Sequence, residues 1–468
     1  MNAKEANAIM TSRNRNIDMC SGSLLSKLLI FALPIMAMNI LQLMFNTTDM
    51  VVVGRFSGSK ALAAVGATGP LINLIVNLFM GLSVGTTVIV AQDLGARKAD
   101  AVSRSVHTSI VISIIGGLIV MILGLIFCKP LLNMMGTPKD IIGMSVLYMK
   151  IYFISTPATM VYNFAAAILR AAGDSRRPMY YLIITGILHA ILNLFFVIVL
   201  HMSVEGVACA TVISEYLSVI LIMICLSRSD GAIRFIPRKM CIDGQKLKAI
   251  VRIGLPAGMQ GLLFSISNVL IQSAVNSFGS IMVAASSAAA NIESYIGTTM
   301  NAYYNAAIAF TGQNMGAKKY DRIDTVAKVC TVLIFATWII IGGAILIFGR
   351  QLLGIFTSDP QVIKLGILRM NIMMIAYFTC GMMNVYPGLT RAMGYSILPM
   401  LCTLVGACLM RIAWLGTIFT WYPTEVVLFV CYPVTWGLAG LGQVGVFFYA
   451  RRQIRKPAVP KAEISKLK

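Results

Sequence analysis

The sequence reads NFAAAILRAAGDSRRPM over residues 163–179 and NVYPGLTRAMGYSILPM over residues 384–400. The two stretches lie 221 positions apart. The residues they share in register are Asn163, Arg170, Gly173, Ser175, Pro178 and Met179, matched by Asn384, Arg391, Gly394, Ser396, Pro399 and Met400. Self-similarity at a constant offset is the sequence signature of a repeated structural unit. The sequence therefore predicts a fold built from two similar halves.

The same offset, within one position, extends the repeat toward the amino-terminal end of each half. The matching segments are Leu33-Pro34 with Leu255-Pro256, Asn46 with Asn268, Gln92–Ala96 with Gln313–Ala317, and Leu131-Leu132 with Leu352-Leu353. The repeat thus covers more than 130 residues of each half, which predicts that the halves share one order of helices.

The amino-acid composition indicates whether water or lipid surrounds these halves. The 468-residue chain is 58% apolar and only 12% charged, whereas soluble proteins carry roughly 25% charged residues. So little polar surface cannot cover a protein in water, and a lipid bilayer must surround part of the chain. The sequence therefore predicts an integral membrane protein.

Stretches without Asp, Glu, Lys or Arg mark the spans, because a helix needs ~20 residues to cross the hydrocarbon. The long stretch 253–292 contains a turn at residues 276–280 and is divided there. The predicted spans are 28–48, 61–92, 105–128, 151–169, 178–204, 206–227, 250–275, 282–312, 329–349, 370–390, 397–420 and 425–449. We predict an all-α membrane protein with twelve transmembrane helices in two six-helix bundles. Because each half has six spans, the pseudo-twofold axis should run along the membrane normal.

The basic residues predict which side faces the cytoplasm. Of the 38 Lys and Arg, 29 fall in one set of loops and tails, 8 fall in the opposite set, and Arg411 lies within a predicted helix. Loops rich in Lys and Arg stay in the cytoplasm. We therefore predict a multi-pass protein of the cytoplasmic (inner) membrane, with both termini inside and positions near Lys139 and Asp359 outside. The net charge of +21 thus comes mainly from basic residues that set the orientation in the membrane, and no nucleic-acid partner is expected.

The predicted domain boundaries follow from the spans and the polar segments between them. They are a cytoplasmic tail at 1–23, a first bundle at 24–226, a cytoplasmic linker at 227–249, a second bundle at 250–450 and a basic cytoplasmic tail at 451–468.

Polar residues form a stripe along the first predicted helix. Asn39, Gln42, Asn46 and Asp49 are spaced three, four and three apart, which places them within ~80° of each other on one face. Polar groups that face lipid are costly, so this stripe should face a cavity or another helix. Hydrogen bonds between helices would explain the amides, whereas a carboxylate in this position indicates a function.

Two further acidic residues lie inside predicted spans. Glu293 is about eleven residues into the eighth helix, with Tyr304 on nearly the same face and Asn301 within ~80° of it. It is expected either to take part in ion coupling or to pair structurally with Arg411, the one basic residue placed within a span. Glu215, in the sixth helix, is expected to be structural.

Several motifs together resemble the multidrug and toxic compound extrusion (MATE) family. They are Thr48–Gly54 after Leu33-Pro34, the loops at 92–98 and 313–319, and Leu169–Pro178 with its repeat at Leu389–Gly394. The resemblance covers roughly residues 24–450. It implies a V-shaped, twelve-helix antiporter that exports organic cations in exchange for protons or sodium. It also implies a key acidic residue late in the first helix, which is Asp49 here.

The sequence departs from the family at two coupling-ion positions. One branch has an Asp four residues after the fifth-helix Asn, but Asn193 is followed at that spacing by Val197. Another branch has a Glu in the seventh helix, and residues 260–272 contain none. A sodium site needs several oxygen ligands, whereas a proton needs one carboxyl group. These departures favour protons over sodium.

The predicted function is therefore secondary active multidrug efflux by alternating access, with Asp49 and Glu293 as coupling residues. The substrate-cavity residues are predicted to be Asn39, Gln42, Asn46, Asn163, Asn193, Asn301 and Tyr304. The expected partners are small organic cations and the lipid bilayer, with no required protein partner, no cofactor besides the coupling ion, and no metal site. A lipid-linked saccharide flippase of the same superfamily is the alternative, and an enzyme is not expected because no nucleophile–base pair is evident.

Overall fold

The computed structural model describes residues 16–455, so predictions for 1–15 and 456–468 in the two tails lie outside the described residues. Twelve long helices account for most of this range, and no strand occurs in it. The helices are α1 Leu24–Ser57, α2 Ser59–Gly95, α3 Ala99–Met134, α4 Ile142–Ala171, α5 Arg176–Val199, α6 Val204–Ser227, α7 Gly244–Asn276, α8 Ser280–Gly316, α9 Tyr320–Gly354, α10 Pro360–Ala392, α11 Ile397–Trp421 and α12 Glu425–Arg455. The predicted all-α fold with twelve helices in two six-helix bundles is confirmed.

Length and composition qualify most of these helices as membrane spans. Among the described residues, nine helices are long and apolar enough to cross a membrane, and α10 makes a tenth if its two parts count as one span. Its parts, Pro360–Ile375 and Tyr377–Ala392, meet at a bend of 54°. The remaining two, α2 and α8, have 37 residues each, well above the ~20 needed to cross the hydrocarbon.

The tenth helix differs from its predicted bounds. The charge-free stretch predicted a span beginning at residue 370, but α10 begins at Pro360. The preceding Asp359 caps it, accepting a hydrogen bond from the Gln361 backbone N–H, and Pro suits the first turn of a helix. As a result Arg369, which was expected in a loop, lies inside α10 and is buried.

Backbone geometry confirms that the two halves repeat. Residues 221 positions apart adopt the same left-handed φ: 56° at Arg97 and 57° at Lys318, 89° at Gly58 and 90° at Gly279, and 92° at Gly173 and 94° at Gly394. Non-glycine residues rarely adopt positive φ. Shared outliers at matched positions therefore show that the turns, as well as the helices, have been kept.

Equivalent residues also exchange equivalent contacts between the halves. The Gln92 side chain donates from Nε2 to the Ala392 carbonyl at 2.8 Å, and Gln313 donates in the same way to the Ala171 carbonyl at 2.7 Å. Each member of one bond lies 221 positions from a member of the other. We call the face of the protein where these bonds lie the basic face. It also contains the connections at 96–98, 172–175, 228–243, 317–319 and 393–396.

Glycines hold the halves together from the basic face to mid-membrane. In α2, Gly81 and Gly85 lie directly against the backbone of α7, at Gly258 and Gly254 respectively, with no room for a Cβ. Without side chains the two backbones can approach closely, as is common between membrane helices. Farther from the basic face, Gln42 and Asn46 of α1 and Asn268 of α7 are exposed. The halves therefore form a V that is closed at the basic face.

Candidate functional site

The polar stripe of α1 lies where the V opens. Gln42 and Asn46 are exposed, and Asp49 is mostly buried, with 15% of its side chain exposed. Asn39, nearest the closed end, reaches the other half: its Nδ2 is 3.3 Å from the Thr298 carbonyl and 3.3 Å from Asn301 Oδ1. The stripe thus begins at the contact between the halves and ends at a carboxylate.

Asp49 is held by α5. Asn193, 0% exposed, donates from Nδ2 to Asp49 Oδ1 at 2.6 Å. The His189 ring Nε2 is 3.6 Å from the same oxygen and 3.3 Å from the Thr211 hydroxyl. Within residues 16–455 no Lys or Arg forms an ion pair with Asp49. The carboxylate therefore faces an amide and an imidazole rather than a permanent cation.

His189 is the residue of this site that sequence reasoning missed. A lone His on an apolar helix is more often a satisfied core histidine than a functional one, so its residue type alone does not single it out. The available signal was its spacing: His189 and Asn193 are four residues apart, so they lie on the same face of α5. Asn193 itself was predicted to line the cavity, but it is fully buried behind Asp49.

Glu215 and Asn163 lie together at a second polar position in the first half. Asn163 of α4 donates to the Thr159 carbonyl at 2.8 Å, and Glu215 of α6 lies within hydrogen-bonding reach of the Thr159 side chain. Asn163 is half-buried. Thr159 is thus the shared neighbour of the two polar residues, and neither of them bonds to Asp49 among the described residues.

Glu293 has a permanent cation as its partner, and the pairing expected with Arg411 is wrong. Arg369 of α10 donates from Nε to Glu293 Oε1 at 3.1 Å and from Nη2 to Oε2 at 3.0 Å. The carboxylate is 6% exposed and the guanidinium 7%. Two parallel hydrogen bonds of this kind make a strong and geometrically specific pair. Glu293 therefore joins α8 to α10.

Arg411 has no carboxylate partner among the described residues, although it is 0% exposed. Its Nη1 donates to Asn268 Oδ1 at 2.8 Å, and its guanidinium lies 5.0 Å from the Phe264 ring centre and 4.8 Å from that of Tyr432. Aromatic faces attract cations. The charge is thus held by ring faces and by an amide on α7.

The sequence had suggested that Arg411 is the only basic residue within a helix, but the structure contains others. Arg170, Arg369 and Arg391 lie in helices and are buried as well. Arg391 donates to the Tyr304 hydroxyl at 2.6 Å and to Gln260 Oε1 at 2.5 Å. Tyr304 therefore binds Arg391 near the basic face and does not share a site with Glu293.

Asn301 also lies apart from Glu293. Its Oδ1 accepts hydrogen bonds from Asn39 at 3.3 Å and from Asn305 at 3.1 Å. Helical periodicity had placed Asn301 and Tyr304 on the same side of α8 as Glu293. However, eight to eleven residues correspond to roughly 12–16 Å along the helix axis, which is too far for direct contact.

The described residues contain no group of three or more His, Cys, Asp or Glu side chains placed to hold a metal ion. What the first half offers is a single carboxylate at the end of an amide-lined stripe, the end that lies farthest from the basic face. Such a group can bind a proton or a cation, and the two would compete for the same oxygens.

Comparison with known proteins identifies the family of this chain. The MatE family model matches residues 34–195 and 256–414. The Bacillus subtilis protein named probable multidrug resistance protein YoeA is 28% identical over 383 residues, which cover 79% of this chain and 81% of that protein.

Solved structures share the fold. A mutant of the Vibrio cholerae MATE transporter VcmN is 20% identical, with a TM-score of 0.86 over 96% of this chain and 98% of that one. An outward-facing structure of a multidrug resistance MATE family transporter is 22% identical, with a TM-score of 0.85 over 94% and 98% of the two chains. Because the family model matches more than half of its length, this chain belongs to the MATE family, whose members are transporters and not enzymes.

Proposed function

We propose that this protein is a multidrug antiporter that exports organic cations in exchange for protons. The observation that carries the proposal is the contrast between two of its intramembrane acids. Asp49 has no permanent cation as partner within the described residues, whereas Glu293 is neutralised by Arg369. An intramembrane carboxylate is costly unless it has a use or a partner, and Asp49 has only Asn193 and His189.

Export then follows from competition for the Asp49 carboxylate. When ionised, it attracts a cationic substrate that has entered along Gln42 and Asn46. When a proton binds, the attraction is lost and the substrate leaves. A ligand shifts a conformational equilibrium only through its different affinity for the two states, so proton binding must favour one of the two openings of the V.

The atoms that face Asp49 support protons rather than sodium. Sodium, like other hard cations, is bound by several oxygen ligands. The nearest groups here are the Asn193 Nδ2 and the His189 Nε2, which are nitrogen atoms. Val197 contributes no carboxylate on α5. A proton needs one carboxylate oxygen, which Asp49 provides.

We further propose that the protein lies in a bacterial-type inner membrane with its basic face toward the cytoplasm. The V then opens outward. The support is the distribution of Lys and Arg, 29 on this side against 8 on the other. Impermeant thiol labelling of cysteines introduced at Lys139 and Asp359 should occur from outside the cell. Labelling only after lysis would reverse the orientation.

The experiment on Asp49 uses vesicles that contain the purified protein and a fluorescent organic cation. A pH gradient should drive its transport by the wild type, and Asp49→Asn should reduce transport to the level of empty vesicles because the substituted side chain cannot ionise. Asp359→Asn, an exposed acid at the start of α10, is the matched control and should transport normally.

Two results would contradict the proposal. Transport by a well-folded Asp49→Asn protein would remove Asp49 from the mechanism. Transport driven by a sodium gradient at equal pH on both sides would replace the proton as coupling ion.

The buried charge of Arg411 is the reason to test the alternative function, a lipid-linked saccharide flippase. This charge lies behind Asn268, an exposed residue, and anionic head groups favour basic cavities. Of the other buried guanidiniums, Arg369 pairs with the Glu293 carboxylate, whereas Arg391 binds the neutral side chains of Tyr304 and Gln260. Movement of a fluorescent lipid-linked saccharide between leaflets, abolished by Arg411→Met, would support the flippase over the antiporter.

A further inference from the structure

A cavity of about 520 Å³ lies at the basic face where α2, α7, the α10–α11 connection and α12 come together. Its lining combines apolar side chains, those of Ile89, Ile253, Met393 and Ile454, with the basic side chains of Lys248 and Arg252. The volume falls within the range of small-molecule sites, roughly 300–1,000 Å³. None of these residues belongs to the site around Asp49.

The repeat shows that this space is filled in one half, whereas residues 16–455 leave it unfilled in the other. At Gly173 the segment 16–23, which precedes α1, packs directly on the glycine: the Ile17 backbone N–H donates to the Gly173 carbonyl at 3.1 Å. Met19 of the same segment is buried, and its carbonyl accepts a hydrogen bond from Asn314 at 3.0 Å.

The equivalent residue in the second half is Gly394, which lines the cavity. It has the same backbone conformation, yet among the described residues no atom lies within 4 Å of the position a Cβ would take. The segment that precedes α7 does not cover it, because that segment is held over α3. There the Ile236 N–H donates to His107 Nε2 at 3.1 Å, and the Asp243 N–H donates to the Thr108 hydroxyl at 3.0 Å.

The charges at the rim are not compensated by the described part of the chain. Lys248 and Arg252 are four residues apart and lie on one face of α7, both exposed. Neither forms an ion pair with another residue of 16–455. By contrast, Lys246, two residues away, pairs with Asp93 at 2.5 Å, and Arg104 pairs with Asp243 at 3.2 Å.

We propose that this cavity binds the phosphate headgroup of an anionic membrane phospholipid. Lys248 and Arg252 bind the phosphate, and the apolar wall formed by Ile89, Met393 and Ile454 takes the start of the acyl chains. Basic pockets between membrane helices on the cytoplasmic side bind such headgroups. The apolar wall distinguishes a lipid from free phosphate, which would have no use for it.

The bound lipid has a structural consequence. Ile89 belongs to the first half, whereas α7, the α10–α11 connection and α12 belong to the second. A lipid that contacts both halves stabilises the closed basic face, as segment 16–23 does beside the other half. Anionic lipid therefore favours the state in which the V opens at the opposite face.

Lysine acetylation, read residue by residue by mass spectrometry, tests this site in the unmodified full-length protein. The protein is reconstituted in nanodiscs of phosphatidylcholine alone or with phosphatidylglycerol. We expect phosphatidylglycerol to slow acetylation of Lys248 about tenfold and to change that of Lys98, an exposed lysine on the same face, less than twofold. Equal protection of both lysines would reduce the effect to general attraction by the membrane surface and overturn the proposal.

Two further arms of the acetylation experiment distinguish other possible occupants of the cavity. If 10 mM inorganic phosphate protects Lys248 in phosphatidylcholine as well as phosphatidylglycerol does, the ligand is free phosphate and the lipid assignment is wrong. If protection is the same in both lipids and disappears when residues 457–468 are deleted, the occupant is the tail of the chain itself.

A charge-matched pair of variants gives an independent measurement. Native mass spectrometry should find phosphatidylglycerol bound about tenfold more weakly by Lys248→Gln/Arg252→Gln than by the wild type. Lys98→Gln/Arg228→Gln, which removes the same charges from exposed positions on the same face, should bind it normally. Equal binding by both double variants would contradict the proposed site.

Discussion

The two halves share a fold but treat a buried acid in opposite ways. In the first half Asp49 has an amide and an imidazole as neighbours, at 2.6 and 3.6 Å. In the second half Glu293 has a guanidinium in a two-bond pair at 3.0 and 3.1 Å, backed by the rings of Phe429 and Tyr432. The first acid can exchange its partner, and the second is fixed. The difference teaches that depth in the membrane does not by itself identify a working carboxylate.

The largest expected effect separates the two acids by stability. Glu293→Gln leaves the Arg369 charge buried without a compensating carboxylate and should cost about 3–5 kcal/mol. Asp49→Asn leaves Asn193 with a carbonyl oxygen to bind and should cost less than about 1 kcal/mol. The measurement is thermal unfolding of each purified variant in detergent, compared with the wild type.

A double variant sharpens this comparison. Glu293→Leu/Arg369→Met removes both charges and should recover most of the lost stability, since a buried ion pair is often replaceable by apolar residues. Equal destabilisation by Glu293→Gln and Asp49→Asn would show that the halves do not differ as proposed.

The contact between the halves should give an intermediate effect. Gly81→Ala introduces a Cβ into the backbone of Gly258, so the helices must separate, at a cost of about 1–3 kcal/mol. Gly437→Ala in α12 meets only open space among the described residues and should be neutral or slightly stabilising. Thermal unfolding of the two variants makes the test. A neutral Gly81→Ala would mean that the halves are not in close contact at mid-membrane.

The smallest effect concerns the first turns of α7 and α1. The backbone N–H groups of Lys246 and Gln245, together with Arg104, lower the pKa of Asp243. A carboxylate with a lowered pKa stabilises the helix start above its unfolded pKa of about 3.9, and this contribution is lost as the pH falls through the folded value. Asp243→Ala should therefore accelerate hydrogen exchange at residues 244–248 at pH 7.

Ser23, at the start of α1, supplies the control because its side chain caps no backbone N–H. Ser23→Ala should leave exchange in the first turn of α1 unchanged. Equal acceleration at both helix starts would remove the distinction between them.

Much of the fold follows from the sequence because hydrophobic length and repetition are properties of the chain alone. The count of twelve helices and the break near residue 276 required no knowledge of contacts. The α1 stripe was visible because helical spacing fixes which residues share a face. Asp49 could therefore be singled out before its partners were known.

The partners could not be derived in the same way. Arg369 directly precedes the charge-free stretch 370–390 and was interpreted as a loop residue, yet a charge can lie inside a span when Glu293 and two ring faces contact it. Tyr304 shares a face with Glu293, but periodicity gives an angle and no distance along the axis. Which helix lies opposite a given side chain depends on packing between segments far apart in sequence.

The paired hydrogen bonds between Gln92 and Ala392 and between Gln313 and Ala171 carry a historical implication. In an isologous dimer, residue i of one subunit contacts residue j of the other, and j contacts i. These two bonds follow that rule when residues 221 positions apart are treated as the same residue of two identical subunits. A single six-helix ancestor could thus have paired with an identical copy of itself through the same glutamine. Joining two copies in one chain allows them to differ in sequence, as the halves do at Asp49 in one and at Glu293 and Arg369 in the other.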